Sequence, residues 1–132
     1  DIYVIDAATE KVIGNLGIAA SEMCIDDDRL YTISTEWSYT SSSNEVSYAV
    51  YDTAEQRIVS HNFITDGTEK EISLPYGLAV NPETKEIFVC DATNYVTPGY
   101  LYCFTPEGTL KWKVRTGDIP AHIAFSSEPY YY

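Results

Sequence analysis

Six side chains have the types and the positions expected of a ligand-binding surface. They are Trp37, Tyr39, Asp91, Asn94, Tyr95 and His122. Exposed aromatic rings stack on the apolar faces of sugars, while neighbouring amides and carboxylates exchange hydrogen bonds with hydroxyl groups. We therefore predict a ligand-binding role for these residues, with a glycan or a small nutrient as the ligand.

Each of these residues also has a structural explanation that the sequence leaves open. Trp37 and Tyr39 could cover an adjacent repeat, and Asn94 and Tyr95 could support a turn, since Asn readily bonds to nearby backbone. His122 could act as a ligand or proton carrier, or it could be a histidine whose hydrogen bonds are satisfied within the fold.

Catalytic signatures are missing from the sequence. It contains no Gly-x-Ser-x-Gly elbow, no glycine-rich phosphate loop and no Cys-x-x-Cys or His-x-x-x-His spacing. A catalytic triad needs a nucleophile, a base and an orienting group within mutual reach, and the sequence indicates no such set. We therefore predict no catalytic residue, no cofactor and no metal site.

An internal repeat predicts the elements that position these residues. In each copy a strand ends at a polar residue, a tight charged turn follows, and a second strand begins. The copies are Ile2–Leu16, Tyr48–Phe63 and Tyr100–Gly117, with Asp6, Asp52 and Thr105 at equivalent positions roughly fifty residues apart. A repeat of this length that contains only short strands is typical of β-propeller blades.

The predicted fold class is all-β, with β-propeller blades of four antiparallel strands labelled A to D in chain order. Residues 1–132 form part of one propeller domain: 1–19 are strands C and D, 20–67 and 68–118 are whole blades, and 119–132 are a closing strand A. Pro120–Phe125 repeats the pattern of Pro75–Val80. Because a propeller usually needs about four to eight blades, the predicted partners are the remaining blades of the same propeller or further copies of this chain.

Unequal connections indicate which face of the predicted blades binds a ligand. The A–B and C–D turns are short, whereas the B–C connections at Thr35–Glu45 and Ala92–Gly99 are longer. Since strands alternate in direction, the B–C and D–A connections leave the same face, and long loops on a rigid scaffold commonly carry binding residues. We expect the site on this face, with Asp91 and His122 nearer the central channel.

The chain is strongly acidic, with a formal net charge of −12 from 20 acidic and 8 basic residues. Such a surface repels nucleic-acid phosphates and anionic lipid, which argues against both as partners. The sequence has no apolar run of about 18 residues, so we predict no membrane span.

The three cysteines leave two possibilities open. Cys90 and Cys103 lie on strands B and C of one predicted blade and would come close enough to consider a disulfide. Cys24 would then be left over, and the pattern favours free buried thiols instead.

Several segments resemble the YVTN-type β-propeller repeats of secreted bacterial proteins. The matching segments are Ile2–Asp6, Thr9–Ile13, Pro75–Pro82, Glu86–Asp91 and Thr116–Phe125. They fit a hydrophobic-Tyr-Val-x-Asp strand, a short turn with Thr and Lys, and a Gly-hydrophobic-Ala-hydrophobic strand that leads to a proline. The middle repeat departs from this pattern at Met23–Asp26.

The resemblance implies a non-catalytic extracytoplasmic protein, in the periplasm or on the outer-membrane surface of a Gram-negative bacterium, where many such proteins resemble lipoproteins. It would bind a glycan, a small nutrient or a surface protein in connection with outer-membrane uptake. Some propellers of this kind are lactonases, so the alternatives are a hydrolase with Asp91 and His122 in a channel site around a divalent metal, or a structural surface repeat.

Overall fold

The computed structural model describes residues 1–129, which form ten β-strands and one short 3-10 helix. The strands are β1 (Tyr3–Asp6), β2 (Lys11–Asn15), β3 (Glu22–Asp26), β4 (Arg29–Ser38), β5 (Ser43–Asp52), β6 (Arg57–Ser60), β7 (Pro75–Val80), β8 (Ile87–Asp91), β9 (Pro98–Phe104) and β10 (Leu110–Asp118). The 3-10 helix spans Thr68–Glu71. The predicted all-β class is confirmed.

The strands form three antiparallel sheets, each in consecutive order. β1 and β2 form a hairpin, β3 to β6 form a four-stranded sheet, and β7 to β10 form a second four-stranded sheet. We call the two larger sheets sheet I and sheet II. Sheet I lies within residues 20–67 and sheet II within residues 68–118, so each whole sequence repeat forms its own sheet.

The repeated polar residue ends a strand because its side chain closes the following turn. Asp6 Oδ1 accepts hydrogen bonds from the amides two and three residues further on, at 2.9 and 2.8 Å. Asp52 makes the same pair at 3.0 and 2.8 Å, and Asn81 at 2.9 and 3.3 Å. In each turn the fourth residue after this side chain has a φ of 58°, 55° or 63°. Local turn chemistry thus explains Asp6 and Asp52 of the repeat, whereas the third equivalent residue, Thr105, accepts from the Thr109 amide at 3.2 Å, and Asn81 lies at a different position, after β7.

Sheets I and II stack face to face, with the hydrophobic core between them. The largest fully buried apolar side chains are Phe104, Ile33, Ile64, Ile87 and Val89. The first strands of the two sheets, β3 and β7, contact each other directly. The connection from β6 to β7 supplies Phe63, Ile64 and Ile72 to the same core, and Phe63 meets two tyrosine rings of sheet I edge-on at 5.6 and 5.4 Å.

Other segments lie on the outer faces of the two sheets. The β1–β2 hairpin lies beside sheet I and shares a groove of about 540 Å³ with Leu30 and Tyr51. On the outer face of sheet II, the Phe125 ring lies 5.3 Å from Phe88, which also meets Trp112 edge-on at 5.9 Å. The chain therefore presents layers in the order hairpin, sheet I, sheet II and carboxy-terminal segment.

The closing strand A expected at 119–132 is not formed in residues 119–129, and residues 130–132 lie outside the described part of the chain. Pro120–Phe125 instead crosses sheet II, where the Ala121 carbonyl oxygen lies only 2.2 Å from where a Cβ at Gly77 would stand. A strand A pairs with the strand B of its own blade, and the predicted closing blade contributes only β1 and β2, which correspond to strands C and D. Sequence similarity to Pro75–Val80 alone cannot supply that partner.

The expected long loop at Thr35–Glu45 is also shorter than its composition indicates. β4 and β5 remain paired from Arg29 opposite Asp52 to Ser38 opposite Ser43, which leaves only residues 39–42 in the turn. Thr35 faces Val46 and Trp37 faces Asn44 in this ladder. β-branched and aromatic side chains favour such pairing, so the serine-rich segment forms a projecting hairpin, which we call the β4–β5 ribbon.

All three cysteines in the described residues are free, as the favoured alternative predicts. Cys90 lies opposite Leu101 and Cys103 lies opposite Phe88, so the two thiols stand two positions apart across β8 and β9. Burial raises the pKa of each thiol to about 11, which keeps both in the unreactive thiol form. Within residues 1–129 there is no helix with the length and apolar character needed to cross a bilayer.

Candidate ligand-binding groove

An open groove of about 370 Å³ lies where the first strands of sheets I and II begin. It is on the face that carries the β4–β5 ribbon, the β8–β9 loop and the β6–β7 connection, which is the face expected to bind a ligand. The groove is lined by Ser21, Glu22, Thr35, Trp37, Asn44, Leu74, Pro75, Tyr76 and Tyr95.

Three aromatic side chains from three different elements form the walls of the groove. Trp37 lies on the β4–β5 ribbon, Tyr76 on β7, and Tyr95 in the β8–β9 loop. The rings of Tyr76 and Tyr95 meet at an angle of 88° with their centroids 5.5 Å apart. Trp37, Tyr76 and Tyr95 remain 55%, 37% and 49% exposed, so their surfaces are available to a ligand.

Tyr95 is held in an uncommon backbone conformation by a network of polar side chains. Its φ is 65° and that of Thr93 is 57°, values that bulky and β-branched residues seldom adopt. Asn94 Oδ1 accepts hydrogen bonds from the amides of Val96 and Thr97 at 3.0 and 2.9 Å. Strained residues of this kind cluster at functional sites, and here the strain places an aromatic ring in the groove.

Asp91 supports this loop from below and is not accessible to a ligand. Asp91 is only 2% exposed. Its carboxylate accepts three backbone hydrogen bonds. Oδ1 accepts from Leu74 at 2.9 Å and Thr93 at 2.8 Å, and Oδ2 accepts from Ser73 at 3.2 Å. Asp91 therefore joins the β6–β7 connection to the β8–β9 loop, which is a structural role.

Glu22, which was not a predicted site residue, contributes a carboxylate to the groove. It opens β3 and is only partly exposed. Burial raises the pKa of this carboxyl, and the nearby His122 opposes that effect without abolishing it. Within residues 1–129 no hydrogen bond or ion pair stabilises the carboxylate, so its charge is available to a ligand.

The six predicted residues thus divide into distinct groups. Trp37 and Tyr95 line the groove, and Asn94 holds the loop that carries Tyr95. Tyr39 is 91% exposed at the tip of the β4–β5 ribbon and is not a lining residue. His122 is exposed beyond β10 and is not a lining residue, although it lies near enough to Glu22 to lower the pKa of that carboxyl.

Two further lining residues, Tyr76 and Thr35, escaped sequence reasoning. Tyr76 is the second residue of β7, and its alternation with Pro75 and Gly77 is the sequence signal that could have marked it. Thr35 lies in the ribbon, and its Oγ1 atom is buried without a hydrogen-bond partner in the described part of the chain. Because the atom is buried, this hydroxyl is not accessible to a ligand.

The described residues 1–129 contain no cluster of three His, Cys, Asp or Glu side chains arranged to hold a metal ion. Comparisons of the sequence with models of protein families and with curated proteins found no match. The functional argument therefore depends on the geometry of the groove itself.

Proposed function

We propose that this chain is part of an extracytoplasmic β-propeller that binds a small ligand, without catalysis, in the groove between sheets I and II. The observation that carries the proposal is the convergence of Trp37, Tyr76 and Tyr95 on one open groove. These residues come from the ribbon, a first strand and a loop, and only the stacking of the two sheets brings them together. Concave sites with aromatic walls and a few polar groups are typical of small-molecule binding.

The arrangement of the sheets supports a propeller. Two consecutive four-stranded antiparallel sheets stack with their first strands in contact, and residues of the connecting segment complete the core. The β1–β2 hairpin lies beside sheet I and lines a groove together with Leu30 and Tyr51. In this proposal sheets I and II are whole blades, and the remaining blades come from the same propeller or from further copies of the chain.

The compartment is proposed from the resemblance to YVTN-type repeats. On that basis the protein works in the periplasm or at the outer-membrane surface of a Gram-negative bacterium and contributes to nutrient uptake. The hydrolase alternative receives less support, because Asp91 is buried and uses both carboxylate oxygens to bond backbone amides.

Calorimetric titration with a panel of neutral sugars and small organic ions tests the proposal. We expect at least one ligand to bind, and we expect Trp37→Ala and Tyr95→Ala each to weaken binding about tenfold or more, as loss of a buried aromatic contact does. Tyr39→Ala is the matched control for Trp37→Ala, because it removes a ring from the same ribbon but outside the groove. Binding that neither groove variant weakens would show that the ligand binds elsewhere.

A further inference from the structure

We propose that the ligand of this groove is a small organic ammonium ion with methylated nitrogen and a short hydroxyl-bearing arm. This inference rests on the proposed function, since it names the ligand class of the same groove. Three features carry it: the exposed aromatic rings, the carboxylate in the same groove, and a single accessible amide side chain.

The aromatic rings provide the surface that a methylated cation prefers. Tyr76 and Tyr95 are in edge-to-face contact, with centroids 5.5 Å apart, and both rings stay partly exposed along the groove that Trp37 also lines. The face of an aromatic ring carries partial negative charge, and a cation within about 6 Å of the ring centroid is attracted to it. A quaternary ammonium group is large and weakly hydrated, so several rings at different angles can contact it at once.

The charge in the groove selects for a cation. Glu22 is partly buried there and has no ion-pair partner within residues 1–129. None of the nine lining residues is Lys or Arg, so an anionic ligand would find no opposite charge among them. The net charge of −12 also favours the approach of cations over anions.

The polar atoms of the lining favour one short hydrogen-bonding arm and not a whole sugar. Ser21 Oγ already donates to the Ile33 carbonyl at 3.1 Å and accepts from the Thr35 amide at 3.2 Å. Thr35 Oγ1 is buried out of a ligand's reach, so the exposed Asn44 side chain opposite Trp37 is the neutral polar group that can bond a hydroxyl group. A sugar presents several hydroxyl groups at once, whereas a single hydroxyl arm needs only one such partner.

Choline and its neutral isostere 3,3-dimethylbutan-1-ol test this inference directly, because they share shape and hydroxyl group and differ in charge. Binding is measured by fluorescence of Trp37 in a Trp112→Phe background, since Trp112 lies on the outer face of sheet II. We expect choline to bind about tenfold or more tightly than the isostere, as a desolvated cation–π site does. We expect Glu22→Gln to remove most of that difference and Tyr39→Ala to leave it unchanged.

Equal binding of choline and the isostere, or full choline affinity in the Glu22→Gln variant, overturns the cation assignment. Glucose and galactose are titrated in parallel. If a sugar binds in a Trp37-dependent manner and choline does not, the ligand class is wrong while the groove remains the binding site. If no compound binds through Trp37, both the ligand class and the proposed function are wrong.

Discussion

Removal of the Asp91 carboxylate should destabilise the fold strongly, because three backbone amides depend on it. Asp91→Ala deletes the acceptors of Leu74, Thr93 and Ser73. A buried donor that loses its partner costs about 1–3 kcal/mol. Leu74 is buried, while the amides of the more exposed Thr93 and Ser73 can reach water in part. We therefore expect the free energy of unfolding to fall by about 3 kcal/mol.

Urea unfolding followed by circular dichroism measures this loss as a lower transition midpoint with an unchanged slope. Asp91→Asn keeps the Oδ1 acceptor but turns an NH2 group toward the Ser73 amide, so it should lose less stability than Asp91→Ala. Asp6→Ala is the matched control, because it removes the same type of turn acceptor at a position more exposed than Asp91. Its effect should be much smaller. An Asp91→Ala variant that unfolds at the parent's urea concentration would refute the structural role and restore Asp91 as a ligand-binding residue.

Three further predictions follow from burial and exposed apolar surface. Burial raises the pKa of Glu22 above 4.5, so the folded state binds this proton more tightly than the unfolded state does and loses stability as pH rises through that pKa. The Glu22→Gln variant should therefore have a higher melting temperature than the parent at pH 7 and the same melting temperature near pH 3. Cys90 and Cys103 are buried, and burial raises the pKa of both thiols to about 11. Both should therefore resist alkylation by iodoacetamide at pH 8 until urea unfolds the protein, and rapid alkylation of the folded protein would contradict their burial. Ile5 and Ile13 of the β1–β2 hairpin are 62% and 65% exposed. Sedimentation of the isolated chain should therefore show self-association or an unstable monomer. A stable monomer that melts cooperatively would contradict the need for further blades.

Local chemistry explains why the strands and turns could be predicted from the sequence. The turn after β1 depends only on Asp6 and the next few residues, and Asp52 repeats that pattern. Local sequence does not predict the structure of Pro120–Phe125, because a strand also needs a partner strand that the segment itself cannot encode. It fails as well at Thr35–Glu45, where cross-strand pairing of a serine-rich segment extends the hairpin.

The groove was only partly predictable for a related reason. Trp37 and Tyr95 could be recognised because large aromatic side chains in polar segments are conspicuous. Glu22 is the first residue of β3 and Tyr76 the second residue of β7, so they line one groove only when the two sheets stack. Among 20 acidic residues, nothing in the sequence marks Glu22 as the one that enters an aromatic groove.

The position of the bound cation tests the central claim most directly. Intermolecular nuclear Overhauser effects from the nine equivalent methyl protons of choline report which side chains surround the ammonium group. We predict cross-peaks to the ring protons of Trp37, Tyr76 and Tyr95, and their loss when choline is displaced by tetramethylammonium. Cross-peaks to Trp112 or Phe88 on the outer face of sheet II, with none to the groove rings, would contradict the account.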